Sequence, residues 1–274
     1  MKTKLPMKQF RETLFSALLG AGNLIAREMY RAKKLSYKEN STFNIVTSVD
    51  HAADKLIQQT ILKRFPDHDL LTEESIPTDK HSDFKWIIDP LDGTINYAHH
   101  IPQCAPSIGL EYKGEIILGG VYDPFRKELF WAEKGKGAFL KFAGRTTRIR
   151  PSPTKKLTGA VLVTGFPYDR TKHIDTYLAY LKAFLGYIQG IRRLGAAALD
   201  LCWVACGRFD GYWEWRLKPW DCAAGKLIVE EAGGRMSDFT GKPFSIYGQQ
   251  TLATNSRIHE EMLAVMKKLP QVVK

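Results

Sequence analysis

The chain has few cysteines, and their spacing argues against a zinc site, a redox motif and a disulfide framework. It contains four cysteines among 274 residues, with none of the Cys-x-x-Cys spacing that is typical of zinc sites and redox motifs. Cys202 and Cys206 are four residues apart on a predicted helix, so we expect them to pack on one face rather than bind metal. The pattern favours a reducing compartment over a disulfide framework.

Long apolar runs are also missing. No stretch reaches the ~18 uninterrupted apolar residues of a membrane-spanning helix, and the candidate run Leu14–Ile25 contains Ser16 and Asn23. Polar side chains interrupt the region before that run, so the pattern predicts an amphipathic helix over Lys8–Tyr30 rather than a signal peptide. We therefore expect a cytoplasmic protein with no membrane partner.

Acidic residues are in deficit, with 29 Asp and Glu against 40 Lys and Arg and a formal net charge of +11. An excess of this size raises nucleic-acid binding as a function class. The basic residues are dispersed and no nucleic-acid-binding motif accompanies them, so we interpret most of them as solvated surface that attracts anionic phosphates. Nucleic acid is thus the less favoured partner, and Arg192 and Arg193 are interpreted as lying near the site or at a dimer contact.

The most informative segment present is Trp86–Tyr97, read as WIIDPLDGTINY. An apolar, strand-like run ends in Asp89 and Asp92, whose oxygens are hard ligands suited to Mg²⁺ or Mn²⁺. Gly93 leaves room for consecutive backbone N–H groups to point at a phosphate, and Thr94 adds a hydroxyl. A plain Asp-Gly turn is the alternative for this pattern taken alone.

Three further acidic residues favour a site over a turn. Glu73 follows a short apolar run, and Asp50 follows a second one. Asp221 begins a predicted helix that ends at Gly233 and Gly234, so a simple helix cap is the alternative for this residue. Each of these residues is weak evidence alone.

Together these segments resemble the inositol monophosphatase family of Mg²⁺-dependent, lithium-sensitive phosphatases. The resemblance covers the chain from about Asn44 to Asn255. It is carried by two signature motifs and two intervening segments: Trp86–Tyr97, Trp220–Gly234, Gly195–Leu201 and Gly207–Glu214.

The resemblance implies a metal-assisted hydrolysis and assigns residues to it. Glu73, Asp89, Asp92, Asp221 and the backbone carbonyl of Leu91 would hold two or three Mg²⁺ ions, with Mn²⁺ as a substitute. The residues assigned to the chemical step are Thr94, Asp50, Glu73 and Asp92. Thr94 and Asp50 would orient a metal-bound water that attacks phosphorus in line, without a covalent phospho-enzyme.

The same resemblance implies a small phosphorylated substrate. Its phosphate would contact Asp92, Gly93 and Thr94, and its organic part would face the following residues: Gly195, Ala196, Glu214 and Asp221. Glu214 would accept a polyol hydroxyl, which favours inositol-1-phosphate or a related sugar phosphate. Ala196 stands where many family members carry Thr, which weakens the inositol assignment.

The substrate alternatives are fructose-1,6-bisphosphate, 3′-phosphoadenosine 5′-phosphate, histidinol phosphate and NADP. A non-catalytic RNA- or protein-binding role is the alternative from another class.

The pattern of elements predicts a layered α/β protein. Apolar periodicity indicates helices near residues 8–30, 50–65, 174–185, 196–205 and 221–231, and short alternating runs indicate strands at 85–88, 107–112, 115–122, 128–133, 138–141, 160–164, 190–193 and 211–215. The Arg150-Pro151-Ser152-Pro153 segment is the best boundary between subdomains 1–150 and 151–274. The family resemblance implies a five-layer αβαβα sandwich, as in sugar phosphatases, and a homodimer.

Overall fold

The computed structural model describes residues 5–31, 35–37 and 45–270. Asn44, where the resemblance begins, lies outside the described residues. The first half of the chain contains α1 Met7–Glu28, β1 Leu35–Tyr37, β2 Ile45–Thr47, α2 Ser48–Leu62, β3 Asp69–Thr72, β4 Phe84–Asp92, α3 Thr94–Ala98, β5 Ala105–Tyr112, β6 Glu115–Asp123, β7 Glu128–Glu133, β8 Gly137–Phe142 and β9 Arg145–Arg148.

The second half alternates strands and helices more regularly. It contains β10 Val161–Thr164, α4 Ile174–Leu185, β11 Gly190–Arg192, α5 Ala197–Ala205, β12 Gly211–Trp215, α6 Pro219–Ala232, β13 Arg235–Ser237, β14 Gln250–Thr254 and α7 His259–Met266. The predicted strands and helices are all present, with ends shifted by a few residues. The structure adds elements that are absent from the predicted ranges, namely β1, β2, β3, α3, β9, β13, β14 and α7.

Two large sheets form the frame. The first has seven strands in the order β3-β4-β5-β6-β7-β8-β9, and the second has five in the order β11-β10-β12-β14-β13. In the first sheet only β3 pairs with its neighbour in parallel, since β4 to β9 follow one another as antiparallel strands. In the second, β10 is parallel to both β11 and β12. One sheet ends before residue 150 and the other begins after it, although the division into 1–150 and 151–274 stays a prediction.

Helices cover both sheets and separate them. Side chains of α1 and α2 pack with the first sheet in one apolar cluster, and α5 and α6 lie in a second cluster between the sheets. A third cluster joins α4 and α7 to the outer face of the second sheet. The order of layers is therefore helix, sheet, helix, sheet, helix, as the resemblance implies.

Small residues let the middle helix lie close to the first sheet. A Cβ added at Gly119 on β6 would lie 2.9 Å from the Cα of Ala224 on α6, a distance that side chains do not reach. The run Ala223-Ala224-Gly225 therefore faces glycine rather than a larger residue. This contact fixes the first turn of α6 beside the end of β4, where the acidic motif lies. None of the helices within the described ranges is long and apolar enough to cross a bilayer.

Candidate active site

A cavity of about 470 Å³ lies where β4, α5, α6 and β12 meet. Most of the residues that the sequence singled out line it: Glu73, Asp89, Leu91, Asp92, Gly93, Thr94, Gly195, Glu214 and Asp221. Segments that are far apart in the chain thus contribute to one cavity. Arg193 also lines the cavity, whereas Arg192 is exposed at the end of β11.

An irregularity in β4 directs both aspartates of the first motif to the cavity. The predicted strand ends at Ile88, but β4 continues to Asp92, with a shift of register against β5 between Asp89 and Asp92. Residues three apart on a regular strand face opposite sides, so the shift is what allows both carboxylates to line one wall. The carboxylate of Asp89 accepts a hydrogen bond from the N–H of Leu91 at 2.9 Å.

Asp92 lies against the N-terminus of α5. Its carboxylate accepts the backbone N–H of Ala198 at 2.7 Å, where the helix dipole favours negative charge. Burial nevertheless raises the pKa of Asp92 to about 7, since the nearby charges of Glu214 and Glu73 add to burial and outweigh the amide. The sequence could not indicate this contact, because its donor is a backbone group 106 residues away.

Glu73 and Asp221 approach the cavity from other elements. Glu73 follows β3, and its backbone N–H donates to the carbonyl of Ile88 at 3.2 Å. Asp221 is the third residue of α6 rather than its cap, since the helix begins at Pro219. Its carboxylate accepts the backbone N–H of Lys218 at 2.7 Å. The helix-cap alternative placed Asp221 three positions too early, since the cap is Lys218 and Asp221 takes the third helical position of a capping box.

The electrostatics of these carboxylates fit a divalent cation. Burial raises the pKa of Asp89 well above its usual range, and the charges of Glu73, Asp92 and Asp221 raise it further. Burial and the charges of Glu73 and Asp92 likewise raise the pKa of Asp221. Carboxylate oxygens are the donors that Mg²⁺ prefers. Within the part of the chain that the structure describes, no three acidic, histidine or cysteine side chains lie close enough together to hold a metal ion as they stand, so the fit to a cation depends on the shared cavity and on the raised pKa values.

Gly93 and Thr94 form the turn that follows the two aspartates. Gly93 has φ 89°, and a Cβ there would lie 2.8 Å from the carbonyl oxygen of Gln103, so this position requires glycine. The Thr94 hydroxyl lies 2.9 Å from a carboxylate oxygen of Asp50 and 3.0 Å from the carbonyl of Leu91. Asp50 is held in turn by the N–H of Thr47 at 2.9 Å.

Glu214 occupies the opposite side of the cavity on β12. It accepts the hydroxyl of Tyr212 at 2.5 Å, and it packs so tightly against Gly165 that any side chain there would overlap the carboxylate. Burial raises the pKa of Glu214 to about 7, while the Tyr212 hydrogen bond and the positive charge of Arg193 lower it. Neither Gly165 nor Tyr212 was singled out from the sequence.

The loop before α5 is held by a side chain from α3. The amide of Asn96 donates to the carbonyl of Leu194 at 2.7 Å and to that of Gln103 at 2.8 Å. Gly195 and Ala197 line the cavity, but Ala196 between them is fully buried. The Cβ of Ala196 lies 3.3 Å from the position that a Cβ on Gly93 would take. Ala196 therefore packs beneath the residues that line the cavity and does not face the cavity itself.

Asp200 is a further acid near the cavity. It belongs to the Gly195–Leu201 segment, but the sequence assigned it no role. It lies on α5, 1% exposed, and its Oδ1 has no hydrogen-bond partner among the described residues. Burial raises its pKa well above the usual range, and the charges of Asp92 and Glu214 add to this effect. Asp200 therefore adds negative charge beside the cavity only when its carboxyl group is ionised.

Comparison with known proteins agrees with this arrangement. The profile of the inositol monophosphatase family matches residues 7–271. Nus factor SuhB of Pseudomonas aeruginosa is 41% identical over 256 residues, which cover 92% of this chain and 93% of that protein.

Solved structures of similar proteins share the fold. The inositol monophosphatase from Anabaena (Nostoc) sp. PCC 7120 superposes with a TM-score of 0.86 at 37% identity, covering 98% of this chain and 99% of that one. An IMPase/NADP phosphatase complexed with Mg²⁺ and phosphate superposes with a TM-score of 0.81 at 27% identity, covering 95% and 96%.

Proposed function

This chain belongs to the inositol monophosphatase family, and we propose from that premise that it is a Mg²⁺-dependent phosphomonoesterase. The proposed substrate is inositol-1-phosphate or a related small polyol or sugar phosphate. One observation carries the proposal: Glu73 after β3, Asp89 and Asp92 on β4, and Asp221 on α6 line a single cavity. The similar phosphatase complexed with Mg²⁺ and phosphate supports the same choice of metal.

The residues of the cavity would have three tasks: to hold metal, to orient water and to bind the organic part of the substrate. The four carboxylates and the carbonyl of Leu91 would hold Mg²⁺, which when bound lowers the pKa of water and neutralises phosphate charge. Thr94 has one hydroxyl hydrogen to donate to Asp50 or Leu91, so its oxygen stays available to accept a hydrogen bond from water. This orients the water toward phosphorus.

Glu214 and the loop before α5 would bind the organic part of the substrate. Glu214 is half-buried, and an ionised carboxylate there accepts hydroxyl hydrogens only. A polyol ring presents such hydroxyls, whereas a nucleotide base presents fewer. Gly195 at φ 80° turns the loop so that its backbone lines the cavity.

The test is phosphate release from a substrate panel. The panel holds inositol-1-phosphate, fructose-1,6-bisphosphate, 3′-phosphoadenosine 5′-phosphate, histidinol phosphate and NADP, each with Mg²⁺ and with EDTA. We expect release that requires Mg²⁺ and favours one polyol phosphate. Preference for another member would keep the chemistry and change the substrate, and absence of release from all five would contradict the proposal.

We also propose that the protein forms a homodimer through α4. This helix buries Tyr177, Tyr180 and Phe184, yet Ile174, Leu178 and Leu185 are about half exposed on its other side, at 51%, 50% and 52%. An apolar stripe on the outer layer of the sandwich is typical of an interface.

Light scattering after gel filtration tests the dimer. We expect a dimer for the native chain and a monomer for Leu178→Asp. Ile76→Asp is the matched control, because Ile76 is 91% exposed but lies in the loop between β3 and β4 of the first sheet, whereas α4 packs on the second; we expect this variant to remain dimeric. A native monomer, or equal behaviour of the two variants, would contradict the interface.

A second role as a binding protein has independent support. The relative from Pseudomonas aeruginosa carries the name Nus factor, and this chain has a net charge of +11. We propose binding of a polyanionic macromolecule as this second role, separate from phosphate release.

A further inference from the structure

The basic residues of this chain are not evenly distributed. Between Glu133 and Asp169 the sequence contains no acidic residue, and it contains eight basic ones: Lys134, Lys136, Lys141, Arg145, Arg148, Arg150, Lys155 and Lys156. All eight are exposed. A segment this long without a counter-charge creates a local positive field that the composition of the whole chain does not reveal.

The fold places most of this segment at one edge of the seven-stranded sheet. β8 and β9 form an antiparallel pair, and β9 is the last strand of the sheet. We call the following residues the basic edge: Lys136, Lys141, Arg145, Arg148 and Arg150.

Two carboxylates lie near this edge. Glu231 accepts the N–H groups of Gly135 and Gly137, each at 2.7 Å, and so places one negative charge at the turn before β8. Glu133 pairs with Arg11 at 2.9 Å. Lys134 pairs with Glu115 and is therefore left out of the basic edge. Across the described ranges, the residues of the basic edge form no ion pair, so their charges face solvent.

Aromatic side chains stand among these cations. Phe139 pairs with Arg148 across β8 and β9, and Trp131 pairs with Phe139 across β7 and β8, so the three share one face of the sheet. The Trp131 and Phe139 rings stack 4.6 Å apart at 21°, and Arg11 and Phe15 of α1 also contact the Trp131 ring, so this pair is occupied by protein contacts. Phe142, 51% exposed, lies on the opposite face beside Arg145.

We propose that the basic edge binds single-stranded nucleic acid. Exposed arginine and lysine side chains contact phosphates, and the exposed ring of Phe142 offers a face on which a base stacks. An acidic peptide would use the cations but has no base for that ring. This inference rests on the second role proposed above and names its surface, and it is independent of phosphate release.

Binding of a fluorescein-labelled 20-nucleotide single strand, as RNA and as DNA, tests the proposal by anisotropy at several salt concentrations. The variant is Lys141→Ala/Arg145→Ala/Arg148→Ala in the full chain. The matched control is Lys63→Ala/Lys267→Ala/Lys268→Ala, which removes the same charge from exposed sites on other elements. Loss of three phosphate contacts should weaken binding by roughly tenfold or more and reduce the salt slope by about 2.

Each outcome has a defined meaning. Weakening by the edge variant but not by the control supports the proposal, for RNA, DNA or both. Equal weakening by both triple variants would overturn it in favour of overall charge, and so would poly-glutamate of matched charge binding as tightly as the oligonucleotide. No binding by the native chain would overturn the second role as well. Asp92→Asn should bind as the native chain does, which separates this result from any failure of the phosphatase proposal.

Discussion

The cavity and the basic edge both bring like charges together, but the cavity buries them and the basic edge exposes them to solvent. In the cavity, carboxylates crowd together out of water, and burial raises the pKa of Asp89, Asp92 and Asp221. At the basic edge, like charges project into solvent from both faces of two strands, where water and salt screen their repulsion. Buried like charges require a proton or a counter-ion at the same place, whereas exposed ones need neither to be stable. We therefore expect single substitutions in the cavity and the presence of metal to change phosphate release and stability strongly. Substitutions at the basic edge should change stability little.

The largest expected effect is that of Asp92→Asn on phosphate release. The change removes a charge that would hold metal, yet it keeps an oxygen to accept the N–H of Ala198. We expect a loss of at least roughly 100-fold, because changes to residues that only support metal ligands already cost 10–100-fold. Asp67→Asn, at an exposed acid outside the cavity, should be close to native. Near-native release by Asp92→Asn would contradict the metal assignment.

The next effect concerns the pH dependence of stability without metal. Burial raises the pKa of Asp92 and of Glu214 to about 7, so the folded state holds protons that the unfolded chain has already released. Stability should be greatest below about pH 4 for these groups and should be lost as pH rises through 7. Melting temperatures measured in EDTA should fall between pH 5 and pH 8.

Magnesium should reverse this loss. A cation that binds only ionised carboxylates raises the melting temperature more at pH 8 than at pH 5. An equal Mg²⁺ effect at both pH values, or none, would indicate that the carboxylates do not act together as a metal site.

Gly93→Ala should have a smaller effect, on stability first. The new Cβ at φ 89° would lie 2.8 Å from a backbone carbonyl, and strain of this kind costs about 1–3 kcal/mol. Gly114→Ala is the control, since Gly114 has φ 82° but open space around it, and its cost should be about 1 kcal/mol. Urea unfolding measures both, and equal costs would show that the contact with Gln103 has no effect.

The smallest effect is expected at the basic edge. Exposed substitutions away from caps and cores usually change stability by about 0.5 kcal/mol or less. Each of Lys141→Ala, Arg145→Ala and Arg148→Ala should follow this rule in urea unfolding. A loss of several kcal/mol from one of them would show that the edge is structural.

Sequence reasoning was most successful where a pattern is local and periodic. The helix at Ile174–Leu185 and the strand at Gly211–Trp215 were predicted with the ends that the structure has. The strands β9, β13 and β14 were missed, because they are short and their pairing partners determine them more than their own residues do. The end of β4 was misplaced, because a shift of register depends on the neighbouring strand.

The candidate site shows the same division. The acidic residues could be named from their types and their motif, since carboxylates suit a hard metal ion and a glycine turn suits a phosphate. The N–H of Ala198 on Asp92, the overlap of Glu214 with Gly165 and the buried position of Ala196 depend on contacts between distant segments. A sequence without its fold does not contain such contacts.

The family and the layered α/β class of this chain could be inferred from residue chemistry and spacing, because the signature motifs are short and contiguous. Which of the acidic residues share a cavity, and which basic residues share an exposed sheet edge, became known from the fold. Sheet order and register bring separate segments together, and burial then sets their pKa values.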